Sequence, residues 1–190
     1  MPSETLAPEI ATSVHATPRP CPRSRFSGSE AGARIAALSL LLVLAGCGSP
    51  ASLLAPDQPT SVVILDEQAA AAAISRYRAQ HGLGPVVIDS SLIRAASYQA
   101  ASNAKAGRLS HEIGGTFNAR MAEAGFGRAY ASENLSAGSA TFDEVLARWK
   151  NSPEHNRNML MPQLKRVGIA RVDAPGTRYK RFWALVMTGG

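Results

Sequence analysis

Residues 165–188 read KRVGIARVDAPGTRYKRFWALVMT. Two β-prone runs, 165–172 and 179–188, flank the turn-forming stretch Asp173-Ala174-Pro175-Gly176-Thr177. Apolar, β-branched and aromatic residues on either side of such a loop predict a hairpin. A third strand is expected to include Glu133 to Ala137. Upstream, the apolar spacing is helical. Asp66 is placed to cap a helix running through Gln80, with Ala70, Ile74 and Tyr77 on one face and Gly82 as its stop. A second helix is expected from about Ser90 to Ala106, its inner face made of Ala96, Ala100 and Ala104, closed by Gly107. A third begins near Thr116, with Phe117, Met121 and Ala124 in phase, and ends at Gly125. Thr141-Phe142-Asp143-Glu144 is a capping box ahead of the stripe Phe142, Val145, Leu146 and Trp149. Ser152-Pro153 then opens a short fifth helix, with proline at its first position. Helices followed by an antiparallel hairpin imply an α+β fold with helices on both faces of a small antiparallel sheet.

The whole chain has 190 residues, enough for one domain of ordinary size. It is 45% hydrophobic and 18% charged, a globular balance, and with 6% aromatics its core is expected to be lean. Lys and Arg outnumber Asp and Glu 20 to 14, a net charge of +6. No run of five like charges occurs, so no nucleic-acid partner is expected. The two cysteines, Cys21 and Cys47, exclude a disulfide scaffold and a CxxC zinc site.

Residues 35–46, IAALSLLLVLAG, are too short an apolar run for a bilayer, which needs roughly 20 residues. Arg19, Arg23, Arg25 and Arg34 precede it, and the order basic, apolar, small is that of a secretory leader. Leu44-Ala45-Gly46-Cys47 resembles the lipobox of bacterial lipoproteins. That resemblance implies a signal peptide over 1–46, a lipid on Cys47 and an extracytoplasmic, membrane-anchored protein. Gly48 in place of aspartate implies the outer membrane or periplasm if the cell is Gram-negative. Residues 47–62, rich in Pro, Ser and Ala, are read as a flexible linker, and 63–190 as the folded domain. With Cys21 removed and Cys47 acylated, no thiol remains for chemistry.

Five motifs stand in order: YRAQHGLGPVVIDSSL (77–92), LSHE (109–112), SENLSAG (132–138), ARWKNSPEHNRNML (147–160) and VGIARV (167–172). Together they resemble the CAP superfamily, also called SCP/PR-1-like, in its compact bacterial form, over roughly residues 66–188. The resemblance implies a three-layer α-β-α sandwich and a surface cleft holding His111, Glu133 and His155. Many eukaryotic members carry a second glutamate three residues after the tryptophan, a position that is Ser152 here. Glu112 and Glu154 are acidic residues near the motif histidines, but their spacing does not assign them to the site. Two imidazoles and a carboxylate suit Zn²⁺ or another divalent metal, with His111 and His155 the expected ligands. Alternatively, Glu133 orients a histidine by accepting its N–H. Asn134 and Ser152 are supporting residues, Asn134 as a brace for the main chain. Trp149 and Trp183 are expected in the core, Arg157 in solvent, and Tyr77, Arg78 and His81 in packing and surface roles.

Three functions are compatible with these residues. The first is a non-catalytic envelope module whose cleft binds a lipid, a cell-wall component or a protein. The second is a metal-assisted hydrolase or peptidase using the same cleft. The third is a structural or adhesive lipoprotein with a vestigial cleft. HExxH and GxSxG are absent from the sequence, and Ser110 beside His111 in the chain is not a nucleophile–base geometry, so an enzyme is the less favoured reading.

Overall fold

Along the last strand, side chains alternate between two apolar environments. Phe182, Ala184 and Val186 enter one buried cluster, and Trp183, Leu185 and Met187 enter another. A strand that is apolar on both faces must be covered on both. The computed structural model, which describes residues 59–189 and the backbone of 9–14, shows how this is done. Six strands, β1 (Glu9–Val14), β2 (Ser61–Val62), β3 (Val87–Ile88), β4 (Ala131–Ala137), β5 (Arg166–Ala174) and β6 (Lys180–Thr188), form one sheet in the order β1-β4-β6-β5-β2, with β3 also on β5. Helices α2 (Ser90–Ala106) and α3 (Phe117–Glu123) cover one face. Helices α1 (Glu67–Gln80), α4 (Phe142–Asn151) and α5 (Pro153–Met159) cover the other. The result is the three-layer α-β-α sandwich with a small, mainly antiparallel sheet.

Local chemistry sets the helix limits. Asp66 accepts from the Ala69 amide at 2.8 Å, and Thr116 and Thr141 each accept from the amide three residues on. Gly107 closes α2 in the left-handed region, at φ 64°, where a side chain is disfavoured. Glu144 completes its capping box one residue further back than expected, accepting from the Ala140 amide at 2.6 Å.

The layer between α2 and the sheet is thin. Ala96, Ala100 and Ala104 are fully buried on the helix face. Near the start of the helix, at Leu92 and Ile93, Gly168 of β5 comes against the helix backbone. A Cβ on Gly168 would overlap the Leu92 carbonyl group and the Ile93 amide, both backbone atoms that no rotamer change can move. Small residues on both partners therefore set the distance between helix and strand.

Two charged residues tie the layers together. Arg78 is 1% exposed, and its guanidinium donates to the carbonyls of Gly84, Met159, Met161 and Leu164 at 2.7–3.0 Å. It clamps the turn after α1 to the chain leading from α5 into β5. Burial holds its pKa below the usual arginine value. Asp89 caps α2 through Oδ1 and accepts from Arg166 through Oδ2 at 2.9 Å. Burial pushes the Asp89 carboxyl up, but the hydrogen bonds from Arg166 and the two amides outweigh it and hold the group below the ordinary aspartate value.

The fold departs from the sequence reading at its margins. The hairpin turn is tighter, because Asp173 and Ala174 remain paired with Arg181 and Lys180. Ser61–Val62, assigned to the linker, pair antiparallel with Val172 and Asp173. Val87–Ile88 pair with β5 in parallel, so the sheet is not wholly antiparallel. Two-residue strands leave no alternation to read. Residues 9–14, inside the expected leader, pair antiparallel with β4 along its full six-residue length. Cys47 lies outside the described residues. Among the described residues no helix is long and apolar enough to cross a membrane.

Two outcomes follow. Gly168→Ala is expected to cost about 3 kcal/mol or more in urea denaturation, because the added methyl meets backbone rather than a mobile side chain. Asp89 contributes stability above the ordinary aspartate range that is lost as pH falls through its lowered folded pKa. The stability gap between wild type and Asp89→Asn is therefore expected to shrink below about pH 4 in chemical denaturation series.

Candidate functional site

Consecutive β4 side chains point to opposite faces. Glu133 shares its face with Ala131, Leu135 and Ala137, the side covered by α2 and α3. It is fully buried, in an environment where an unpaired carboxylate is very costly. Arg120 supplies the pairing. Its Nη1 donates to Glu133 Oε2 at 2.6 Å and its Nη2 to Oε1 at 2.9 Å, a bidentate fork. Nη2 also donates to the His111 carbonyl at 3.0 Å, and Nε to the Gly115 carbonyl at 3.3 Å. Arg120 reaches inward because α3 presents Phe117, Arg120 and Met121 on one buried face.

His111 follows α2 in the loop before α3. Two buried polar side chains of α2 hold that loop. Gln99 Nε2 donates to the Ser110 carbonyl at 2.6 Å, and the Ser110 amide donates to Asn103 Oδ1 at 3.0 Å. The imidazole is then set against Glu133, with Nδ1 2.6 Å from Oε1. A carboxylate can only accept here, so Nδ1 carries a proton, and whenever the ring is neutral its lone pair lies at Nε2. Nε2 is buried and has no hydrogen-bond partner among the described residues.

His155 belongs to the opposite face. Asn134, one residue after Glu133, points toward α5 and donates from Nδ2 to the His155 carbonyl at 3.0 Å. Asn158 donates to Asn134 Oδ1 at 3.0 Å and to the Glu133 carbonyl at 3.3 Å. Ser132 Oγ donates to the Asn158 carbonyl at 3.2 Å. His155 Nδ1 lies 2.7 Å from Ser152 Oγ. Ser152 stands at the N-cap of α5 as its sequence implies, yet its side chain makes no capping bond. Its hydroxyl is committed to the imidazole instead.

The structure therefore unites His111 with Glu133, and His155 with Ser152 and Asn134, as two half-sites flanking β4. The bond from Asn158 to the Glu133 carbonyl links the two. His111 and His155 are 7% and 2% exposed. Three cavities lined by described residues border neither histidine; one of about 450 Å³ opens between α2 and α3, beside Arg94, Tyr98 and Arg120. Glu112, Glu154 and Arg157 are exposed. Trp149 and Trp183 are core residues.

As a three-residue ligand set these residues do not fit a metal ion, because both Glu133 oxygens are already engaged by Arg120 and His111. Among the described residues no group of three or more His, Cys, Asp or Glu is placed to hold an ion. Glu133 is instead the orienting acceptor. Arg120, Gln99, Asn103 and Asn158 are missing from the sequence reading. Arg120 had a signal: a cation in phase with Phe117 and Met121 on an otherwise apolar helix face.

Arg120→Met is expected to destabilise the fold by about 3–5 kcal/mol, because it leaves a buried carboxylate without its cation. Adding Glu133→Gln should recover part of that loss in the same thermal or urea measurement, since the stranded charge is gone.

Comparison with known proteins agrees with this architecture. Residues 71–187 match the CAP family, described as the cysteine-rich secretory protein family. The uncharacterized protein YkwD of Bacillus subtilis is 29% identical over 108 residues, 55% of this chain and 42% of its own. The chain thus spans about two fifths of that relative's length. Among solved structures, an outer surface protein from Borrelia burgdorferi superposes with a TM-score of 0.59 at 18% identity, covering 69% of this chain and 98% of its own. An extracellular protein containing a SCP domain from Bacillus anthracis gives 0.56 at 22% identity, covering 65% of this chain and 40% of its own. At these identities the superpositions speak for the fold alone. The extent of the family match, on a sandwich of this layering, makes the chain a member of the CAP family.

Proposed function

We propose that this protein is an extracytoplasmic, lipid-anchored CAP module that binds a ligand without chemical turnover, using the β4 region bordered by His111, Glu133 and His155. One observation carries the reading. His111 Nε2 is a buried nitrogen without a hydrogen-bond partner among the described residues, on a ring fixed by Glu133 and Arg120. Buried polar atoms are rarely left so, and a donor group from a ligand would satisfy this one. Gln99 and Asn103 hold the loop in place, so the group is organised before anything binds. A lipid, a cell-wall component or a protein can each offer such a donor.

The relatives support the cellular location. By name they are an outer surface protein and an extracellular protein. The lipid anchor rests on Leu44-Ala45-Gly46-Cys47. The hydrolase reading loses support from Glu133, whose oxygens are engaged and so are not free to activate water.

Capture from native cell envelope tests the reading. Wild-type protein is expected to retain a component that His111→Ala/His155→Ala loses. Equal capture by both would remove the imidazoles from the binding role. Cys47→Ser is expected to move the protein from the membrane to the soluble fraction, and unchanged fractionation would remove the anchor.

A further inference from the structure

We infer that the end of the sheet where the chain enters the domain is a docking face for an anionic lipid surface, the membrane that carries the proposed anchor. β5 and β6 meet at this end in the turn 175–179. The end of α2 lies beside that turn, since a Cβ on Gly107 would stand 3.6 Å from Thr177 Cγ2. Arg108 follows α2 here, and Arg178 and Lys180 stand on the hairpin. All three are exposed, and among the described residues none has an ion-pair partner. By contrast, Arg78, Arg120, Arg166 and Arg171 each hold acceptors. Lys105 adds a fourth cation in the last turn of α2. The one acid of the hairpin, Asp173, is held through both oxygens by Arg171 at 2.7 Å. It lies on the other face of the sheet, with buried Ile169 and Trp183. Unpaired like charges gathered at one end are relieved by a surface of opposite sign.

Two further observations meet at the same end. Ser61 pairs with Asp173, so the chain arriving from Cys47 joins the sheet next to the hairpin turn. Thirteen residues, 48–60, lie between Cys47 and that junction. A coil of this length spans about 20 Å root-mean-square and at most about 45 Å. A lipid on Cys47 therefore keeps this end next to the bilayer, rather than the opposite end at Arg166 and Thr188. Just past the junction, Val62 and Ile64 are 69% and 99% exposed. Val62 stands opposite Val172, on the face that α2 covers, and Lys180 stands opposite Ala174 on the same face. Apolar side chains beside cations suit the boundary between acyl chains and headgroups. β6 separates β5 from β4, so a bilayer at this edge leaves β4 clear. This inference rests on the anchor in the reading above and adds the orientation of the anchored domain.

The test uses the processed lipoprotein held by its own anchor on vesicles, either phosphatidylcholine alone or equal parts phosphatidylcholine and phosphatidylglycerol. Hydrogen exchange is read at 105–108 and 175–181, with 160–165 at the far end as the control. On the anionic vesicles, exchange at the first two segments is expected to be about fivefold slower than on phosphatidylcholine, with 160–165 unchanged. Each cation near such a surface strengthens the contact about fivefold. Arg108→Gln/Arg178→Gln/Lys180→Gln should therefore abolish the protection, and its unfolding midpoint should stay at the wild-type value. Raised salt, which leaves the sequence intact, should abolish it too. Equal exchange on the two vesicle types overturns the docking face. So does protection that survives in the triple variant or in salt, and so does protection that spreads equally to 160–165. The anchor and the docking face fail in different ways. Protein that floats with the vesicles yet gains no protection overturns the docking face alone. Protein that leaves the vesicles, with no acyl mass on Cys47, overturns the anchor and the docking face with it.

Discussion

A carboxylate with no access to water needs a cation at its side, and much of this fold follows from that need at Glu133. Arg120 must reach it from α3, which fixes α3 against the sheet. The same guanidinium takes the His111 carbonyl, so the loop between α2 and α3 is held to β4 by the group that neutralises it. The imidazole then has one acceptor to face, and its tautomer follows. Stability and the poise of the histidine are one network. A change aimed at either is expected to move both, so binding data on variants here have to be read beside their unfolding midpoints.

Period-two patterning does the corresponding work for the sheet. Neighbouring positions of β6 feed different cores, and neighbouring positions of β4 feed different half-sites. Glu133 and Asn134 are adjacent in the chain and a sheet's thickness apart in their contacts.

Features governed by local chemistry were legible in the sequence. The five helices, the hairpin and β4 follow from caps, periodicity and turn residues, and the structure places them within a residue or two of expectation. Ala96, Ala100 and Ala104 predicted a close neighbour, and they share one buried cluster with Ala170, Ala174 and Ala184 of the sheet. Features that depend on distant partners were not legible. Arg78 carries no mark that its four acceptors lie in the turn after α1 and in the stretch between α5 and β5. Gln99 and Asn103 look like ordinary polar residues of a helix until the loop they hold is folded beside them. Glu133 was named by motif, but its role depends on Arg120, 13 positions away.

Ser152 gives the two histidines different characters. Glu133 can only receive a proton, so the ring of His111 is locked in one orientation of donor and acceptor. A hydroxyl can give or take, so the contact with Ser152 does not by itself choose a tautomer for His155. A family site built on two carboxylates would pin a proton on both rings, whereas here a carboxylate does so only for His111.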